Sequence, residues 1–277
     1  MTAMSATPGR AEPTVYGSDA NVPLRDVVSA FAAVPGDGRL CGPGVRSVDS
    51  DPVGHFQGMG VYRDRWVILT HSTALYSAGW FAVWDMRTGK ATSYPISTPG
   101  HMRHPGGLQV IGDYLVAGIE PTAQLSLPAL VRIYDLRDIE RAGPRLVPQP
   151  QIEVAGRSAA AVGITKVGGR HMLAVYGSDP CGEIYFYWSN GRPLGDPELT
   201  FRTGDPVLHF RADVHGHRTG YDNLALLTSA AGELFLLGLR GDKAGSLAVK
   251  DTADLWRIDP SGGKAELAVT SGHRTSG

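Results

Sequence analysis

Cysteine is nearly absent. The chain of 277 residues holds two, Cys41 and Cys181, and no C-x-x-C pair, which excludes a disulfide framework. An excess of one charge is also missing. The 26 basic and 27 acidic residues leave a formal net charge of −1, and they are interspersed. That balance excludes the basic footprint of a nucleic-acid binder and a polybasic membrane patch. No apolar run approaches the ~18 residues of a membrane helix. The opening stretch MTAMSATPGRAEPTVYG lacks the apolar core of a secretory leader. The expectation is a soluble, cytoplasmic protein with neither nucleic acid nor membrane as a partner.

Nucleophile and phosphate motifs are missing too. There is no G-x-S-x-G elbow. In PGDGRLCGPG, Gly36 and Gly38 are present but the third glycine of a G-x-G-x-x-G loop falls on Cys41. MRTGKA and SGGKAE lack the upstream glycine and the hydroxyl residue of a P-loop, and are better hairpin turns. No cofactor is expected.

Glycine abounds. The 36 glycines and 19 prolines are scattered between short apolar runs, which favours many short strands over long helices. The chain also repeats itself. HFQGMGVYRDRWVILTHS (55–72) and HPGGLQVIGDYLVAGIE (104–120) share the pattern His-x-x-Gly followed by apolar residues around a turn, at an offset of 49 residues. AAVGITKVGGRHMLAVYGS and HGHRTGYDNLALLTS fit more loosely, with turns at Gly169 and at Gly220–Asp222. A further apolar run follows each copy: GWFAVWDM, ALVRIYDL, GEIYFYWS and GELFLLGL. A fourth, such as ATSYPI or QIEV, completes a unit of four strands. Four strands per unit at a period near 50 predict an all-β β-propeller of about five four-stranded blades. RDVVSAFAAV (25–34) is expected as a short helix. GVRSVDS (44–50) is expected to close the ring by pairing with AELAV (265–269). On this reading residues 1–14 are a disordered tail, 15–270 a single propeller domain and 271–277 a polar tail.

The stretch from Gly54 to Lys90 resembles a WD-type repeat, on its Gly54-His55 pair and its closing VWDMRTGK with Trp84-Asp85. The second unit resembles it less, on Gly100-His101 and Tyr134-Asp135. The resemblance implies a propeller, and a WD-type protein would be a non-catalytic protein-interaction scaffold. TALYSA (73–78) has no aspartate where the family's histidine–aspartate–serine–tryptophan network needs one, so the pattern departs there.

His55 and His104 occupy the same place in successive copies, so they are expected at one end of neighbouring blades. The glycine at the fourth place, Gly58 or Gly107, allows strands to approach closely near the axis. Two functional expectations follow. In the first, His55 and His104 are acid/base groups of a small-molecule site at the mouth of a central channel. Gln57, His101, Arg103, His215, Tyr221 and Asp222 would be the ligand-binding residues there, and Arg103 would orient an anionic or carbonyl group. Chemistry of lyase, isomerase or cyclase type is the enzymatic form of this reading. In the second, the histidines only tie strands together in a scaffold with a protein partner. Asp213, His215 and His217 would share a face if they lay on a strand, but Gly216 and Gly220 make this stretch a loop, and no metal site is expected. Ser158, at the place of the repeated histidine, is expected to be structural or channel-lining, and Cys181 a buried or inert thiol.

Overall fold

The computed structural model describes residues 18–35, 47–48, 51–74, 76–96, 102–121, 128–148, 152–154, 158–177, 182–204, 209–211, 220–242 and 250–274. They form a β-propeller of four antiparallel sheets. Blade one contains β1 (Ser47–Val48), β2 (Asp51–Tyr62), β3 (Trp66–Thr73), β4 (Gly79–Asp85) and β5 (Lys90–Pro95). Blade two contains β6 (Met102–Ile111), β7 (Tyr114–Pro121), β8 (Ala129–Asp135), β9 (Arg145–Leu146) and β10 (Ile152–Val154). Blade three contains β11 (Ala161–Val167), β12 (Arg170–Gly177), β13 (Glu183–Ser189), β14 (Phe201–Thr203) and β15 (His209–Arg211). Blade four contains β16 (Asn223–Thr228), β17 (Leu234–Asp242), β18 (Lys250–Asp259) and β19 (Lys264–Arg274). Two short helices, α1 (Val27–Ala32) and α2 (Ile139–Ala142), complete the described elements.

The expected five blades are therefore four. The fifth rests on the residues left over at ~40–50 per blade, with GVRSVDS closing on AELAV, and those segments instead belong to blades one and four; the turn of the last unit also lies one strand later than expected. Gly220–Asp222 precedes the inner strand β16, and the hairpin turn lies at 229–233, closed by Ser229 N–H to the Glu233 carbonyl and Gly232 N–H to the Ser229 carbonyl. GELFLLGL is thus a second strand, and AELAV falls in β19, the outer strand of the fourth blade, paired with β18. The expected closing strand pairs elsewhere: Ser47 and Val48 lie against Pro52 and Asp51 at the start of β2.

Strand periodicity explains how the blades stack. Successive side chains of a strand point to opposite faces. On β7, Leu115, Ala117 and Ile119 pack toward blade one with Ile68, Phe81 and Val83. Tyr114 and Val116 pack toward blade three with Ile164, Leu173 and Val175. On β12, Met172, Ala174 and Tyr176 turn to blade four and meet Leu224, Leu226 and Leu236. A strand buried on both faces must be apolar throughout, which is why YLVAGIE and HMLAVYG show no alternation. The outer face of blade four is covered by α1, whose Val27 packs with Phe235 and Leu255. Asp26 caps this helix by accepting from Ser29 N–H at 2.9 Å, as a short N-cap side chain does.

The inner strands meet across the axis. Gln109 of β6 accepts from the backbone N–H of Ile164 (2.6 Å) and of Leu226 (2.9 Å), and donates to the Leu226 carbonyl (3.0 Å). Asn223 of β16 accepts from Leu108 N–H and donates to the Met59 carbonyl, both at 3.1 Å. All four inner strands are joined by these two amides, so the axis is filled at this level instead of open. Glycine makes the approach possible: a Cβ on Gly58 would lie 2.7 Å from Leu108 N, and one on Gly106 would lie 2.2 Å from the Ala160 carbonyl oxygen.

One end of the propeller is strapped. Ser18 accepts from the Asp113 backbone N–H and donates its own N–H to the Asp113 carboxylate, Asn21 bonds Gly112 N–H and the Val110 carbonyl, and Asp19 pairs with Lys166 at 2.6 Å. Leu24 then forms a parallel bridge with Ser229. The segment thus crosses the turns of blades two, three and four before entering α1. Neither described helix is long and apolar enough to cross a membrane.

Candidate functional site

The repeated histidines come together at the end opposite the strap. His55 lies opposite Ser72 near the start of β2, and His104 opposite Glu120 near the start of β6. Each is flanked by two irregularities of register, between Val53/His55 and Phe56/Met59 in β2, and between Met102/His104 and Pro105/Leu108 in β6. These positions differ by 49 residues, the period of the sequence repeat. The repeat therefore encodes a doubled bulge, and bulges re-aim side chains. Gln57-Gly58 and Gly106-Gly107 supply the extra residues.

The consequence is a direct contact between blades. His55 Nε2 and His104 Nε2 are 3.4 Å apart, with ring centroids at 5.4 Å and planes tilted by 52°. His104 Nδ1 is 3.0 Å from Glu120 Oε2. An ionised carboxylate only accepts, so the Nδ1–H of His104 is the donor in this contact and its Nε2 is the ring atom turned toward His55. Tyr76 stands edge-on to both imidazoles, at 6.1 Å from His55 and 5.2 Å from His104. Its backbone is left-handed, φ 51°, and its N–H bonds the Thr73 carbonyl at 2.9 Å. The His104 and Glu120 side chains are 19% and 11% exposed, so the pair is accessible yet shielded enough to be ordered.

Glu120 and Tyr76 were not singled out in the sequence. Glu120 closes the second copy of the repeat, where the first copy has no acid. Its position across from His104 depends on a hairpin one residue shorter than that of blade one: Gly112-Asp113 stands where blade one has Arg63-Asp64-Arg65. Tyr76 lies in TALYSA, the connection noted above for lacking an aspartate.

The remaining expected site residues scatter. Gln57 sits in the bulge beside His55, and its buried Oε1 has no hydrogen-bond partner among the described residues. Arg103, next to His104, is exposed. Asp222 is exposed, and its carbonyl faces Gly107, 2.7 Å from where a Cβ would stand. Tyr221 is turned inward. Its hydroxyl donates to Asp254 Oδ2 at 2.8 Å and accepts from Trp256 Nε1 at 3.0 Å, while Thr270 donates to the other Asp254 oxygen. Burial and the adjacent Asp254 push this phenol far above its ordinary range, so it serves as a tie inside blade four. His101 and His215 lie outside the described residues, as do Asp213, His217, Cys41 and Cys181.

The elements of the WD-type pattern are differently engaged. The Ser72 hydroxyl opposite His55 is buried without a hydrogen-bond partner among the described residues. Asp85 is gripped by Arg65 through Nε (3.1 Å) and Nη2 (2.9 Å), which holds its carboxyl well below the usual range. The Arg65 guanidinium lies over the Trp66 ring at 4.2 Å, a cation–π contact. His71 of β3, buried against the Phe56 ring, is pushed below its ordinary value by desolvation.

No protein-family model and no curated protein matches the chain. Among solved structures it is similar to an exo-β-1,3-galactanase of Phanerochaete chrysosporium bound to β-1,3-galactotriose, with 12% identity and a TM-score of 0.50. The match covers 81% of this chain and 50% of that one, so the chain spans half the length of that enzyme. An α-L-arabinanase of Penicillium chrysogenum bound to arabinobiose matches at 9% identity, 83% and 69% coverage and a TM-score of 0.46. At such identities the galactanase supports the propeller fold and nothing finer.

Proposed function

We propose that this chain binds a small polar molecule at the end of the propeller where β2 and β6 begin, with His55 and His104 as the groups that meet it. The single observation carrying this reading is the facing pair of Nε2 atoms, set by two bulges that recur at the period of the repeat. A histidine that only ties its own blade together would bond within that blade. His104 does bond Glu120 within its blade, but its other nitrogen meets His55 of the neighbouring blade. Glu120 fixes the tautomer of His104, and a carboxylate-oriented imidazole is the usual arrangement for passing a proton. Gln57, in the bulge two residues after His55, and exposed Arg103, next to His104 in the chain, stay in the proposed set by their place on these strand starts.

Sugar hydrolysis by the common route needs two carboxyl groups about 5–9.5 Å apart. Among the described residues this cluster holds one, Glu120, already engaged with His104. Its chemistry is hydrogen bonding and proton exchange, and paired-carboxylate hydrolysis finds no support here. The lyase, isomerase or cyclase form of the reading rests only on the missing nucleophile motif and is not carried further. The scaffold reading is not better supported: among the described residues the buried Ser72 hydroxyl has no hydrogen-bond partner.

The test is thermal unfolding of wild type and of the His55→Gln/His104→Gln variant against a library of small polar metabolites. A ligand at a hundred times its Kd adds about 2.7 kcal/mol, a shift of several degrees. The expected result is equal melting without ligand and a shift in wild type alone. A steep fall of the variant's melting temperature, with no ligand moving wild type, would make the histidines structural.

A further inference from the structure

We infer that the face of blade one turned away from blade two is an interface, and that its occupant is the same face of a second copy of this chain. The inference is independent of the histidine site and starts from the sequence repeat. At the offset of 49 residues, Phe56, Met59 and Val61 of β2 stand where β6 has Pro105, Leu108 and Val110. Leu108 is 1% exposed and packs, with Val110, against blade one. A Cβ on Gly60 would lie 2.7 Å from the Leu108 side chain and 2.8 Å from that of Val110. The equivalent residues of β2 are open: Phe56, Met59 and Val61 are 38%, 53% and 47% exposed. The repeat has built one contact surface twice, and the fold uses it once. Apolar clusters join blade one to two, two to three and three to four, and the outer face of blade four carries α1. Among the described residues no such cluster joins blade four to blade one, which Asn223 links at the axis through the Met59 carbonyl.

The rest of the face says what fits it. Cross-strand partners share a face. Phe56, Met59 and Val61 pair with His71, Leu69 and Val67 of β3, and the row continues across β4 and β5. From Phe56–Val61 through to the last paired residues of β5, no side chain on this face is Asp, Glu, Lys or Arg. A face without charge does not select a partner of opposite sign. A two-fold axis that sets it against itself brings no like charges together, which is what an isologous contact requires. The sheets then stack about 10 Å apart, as packed sheets do. Four strands about 4.8 Å apart, each presenting about six residues of 3.3 Å rise, make about 400 Å² of flat face. An exposed apolar patch of that size marks an interaction surface. It is about half of the ~800 Å² per partner found in stable complexes. The dimer is therefore weak, with a dissociation constant on the order of 100 μM.

The experiment is sedimentation velocity on the full chain at neutral pH, from about 5 to about 500 μM, a range that brackets this constant. The expected result is a sedimentation coefficient that rises with concentration from monomer toward dimer. Met59→Lys and Val61→Lys each bring two ammonium groups, one per copy, into an apolar contact. Either should weaken association at least about a hundredfold and leave a monomer throughout. Both side chains are about half exposed in the single chain, so the melting temperature should hold, and circular dichroism checks this. If a lysine variant is unfolded, Met59→Ser carries the same test. Leu239→Lys, at an exposed apolar residue of blade four, should leave the dimer as it is. A wild type that stays monomeric at every concentration overturns the second copy and leaves the face to a different partner. A dimer that survives both lysine substitutions, or one that Leu239→Lys also abolishes, overturns the placement on blade one.

Discussion

Replacing Gln109 with Met should unfasten the centre of the propeller. The side chain is 7% exposed and holds three backbone groups: the N–H of Ile164, and the N–H and carbonyl of Leu226. Methionine keeps the volume and removes every one of those bonds. The three groups belong to inner strands of different blades and face the axis, so no neighbouring strand can take them over. A buried donor or acceptor left without a partner costs about 1–3 kcal/mol. Three of them give about 3–6 kcal/mol after partial relaxation, against a total stability of about 5–15 kcal/mol for a typical domain. At about 2–4 °C per kcal/mol for a chain of this size, the melting temperature should fall by on the order of 10 °C. Gln109→Glu should fall between, since one carboxylate oxygen can still accept from both N–H groups while the other opposes the Leu226 carbonyl. The assay is thermal unfolding by circular dichroism at neutral pH. A Gln109→Met protein melting within about 2 °C of wild type would refute the argument, because water would then have to satisfy groups that the structure places out of its reach.

Two other outcomes are expected. Gly106→Ala should cost at least about 3 kcal/mol, because its Cβ would stand 2.2 Å from the Ala160 carbonyl oxygen. Denaturant unfolding reads this directly, and a near-neutral result would mean that β6 and β11 can separate freely. His71 and His171 are both held below the ordinary value of 6.5, chiefly by burial. Above that pH folded and unfolded forms are both neutral and the full stability is present. Below it the unfolded chain takes up protons that the folded chain resists, so stability falls as pH drops from 6.5 toward 5. His171 Nε2 donates to the Asp19 carbonyl at 2.9 Å, a bond that the neutral and the charged ring can both make, so the loss comes from charging a buried ring and not from this contact. Melting curves at pH 7.5, 6.5 and 5.5 check the sign, and a melting temperature that rises on acidification contradicts it.

The propeller could be read from HFQGMGV and HPGGLQV because a repeat must build its unit in the same way each time. The runs GWFAVWD, ALVRIYD and EIYFYWS were placed correctly, since each is bounded by turn residues and is long enough for one strand. The fourth unit misled because NLALLTS and ELFLLGL are equally apolar, and Gly220 and Gly232 both signal a turn. Periodicity does not say which of two adjacent runs is innermost. Pairing does, and β16 is fixed as the inner strand by Gln109 and Asn223. Ser47–Val48 has the composition of a closing strand, yet the nearest free edge was its own neighbour, β2.

The site divides along the same line. The sequence by itself determined that His55 and His104 are equivalent, and that a glycine three residues after each lets the inner strands crowd together. Equivalence in a repeat places two residues at the same height on successive blades, because identical local chemistry gives identical local geometry. Only the tertiary structure decided that the two rings face each other, that Glu120 stands behind one of them and that Tyr76 closes the side. Those contacts join residues 16, 28 and 49 positions apart. They depend on the bulges that turn the strand starts and on a hairpin one residue shorter in blade two, which only the paired strands can reveal.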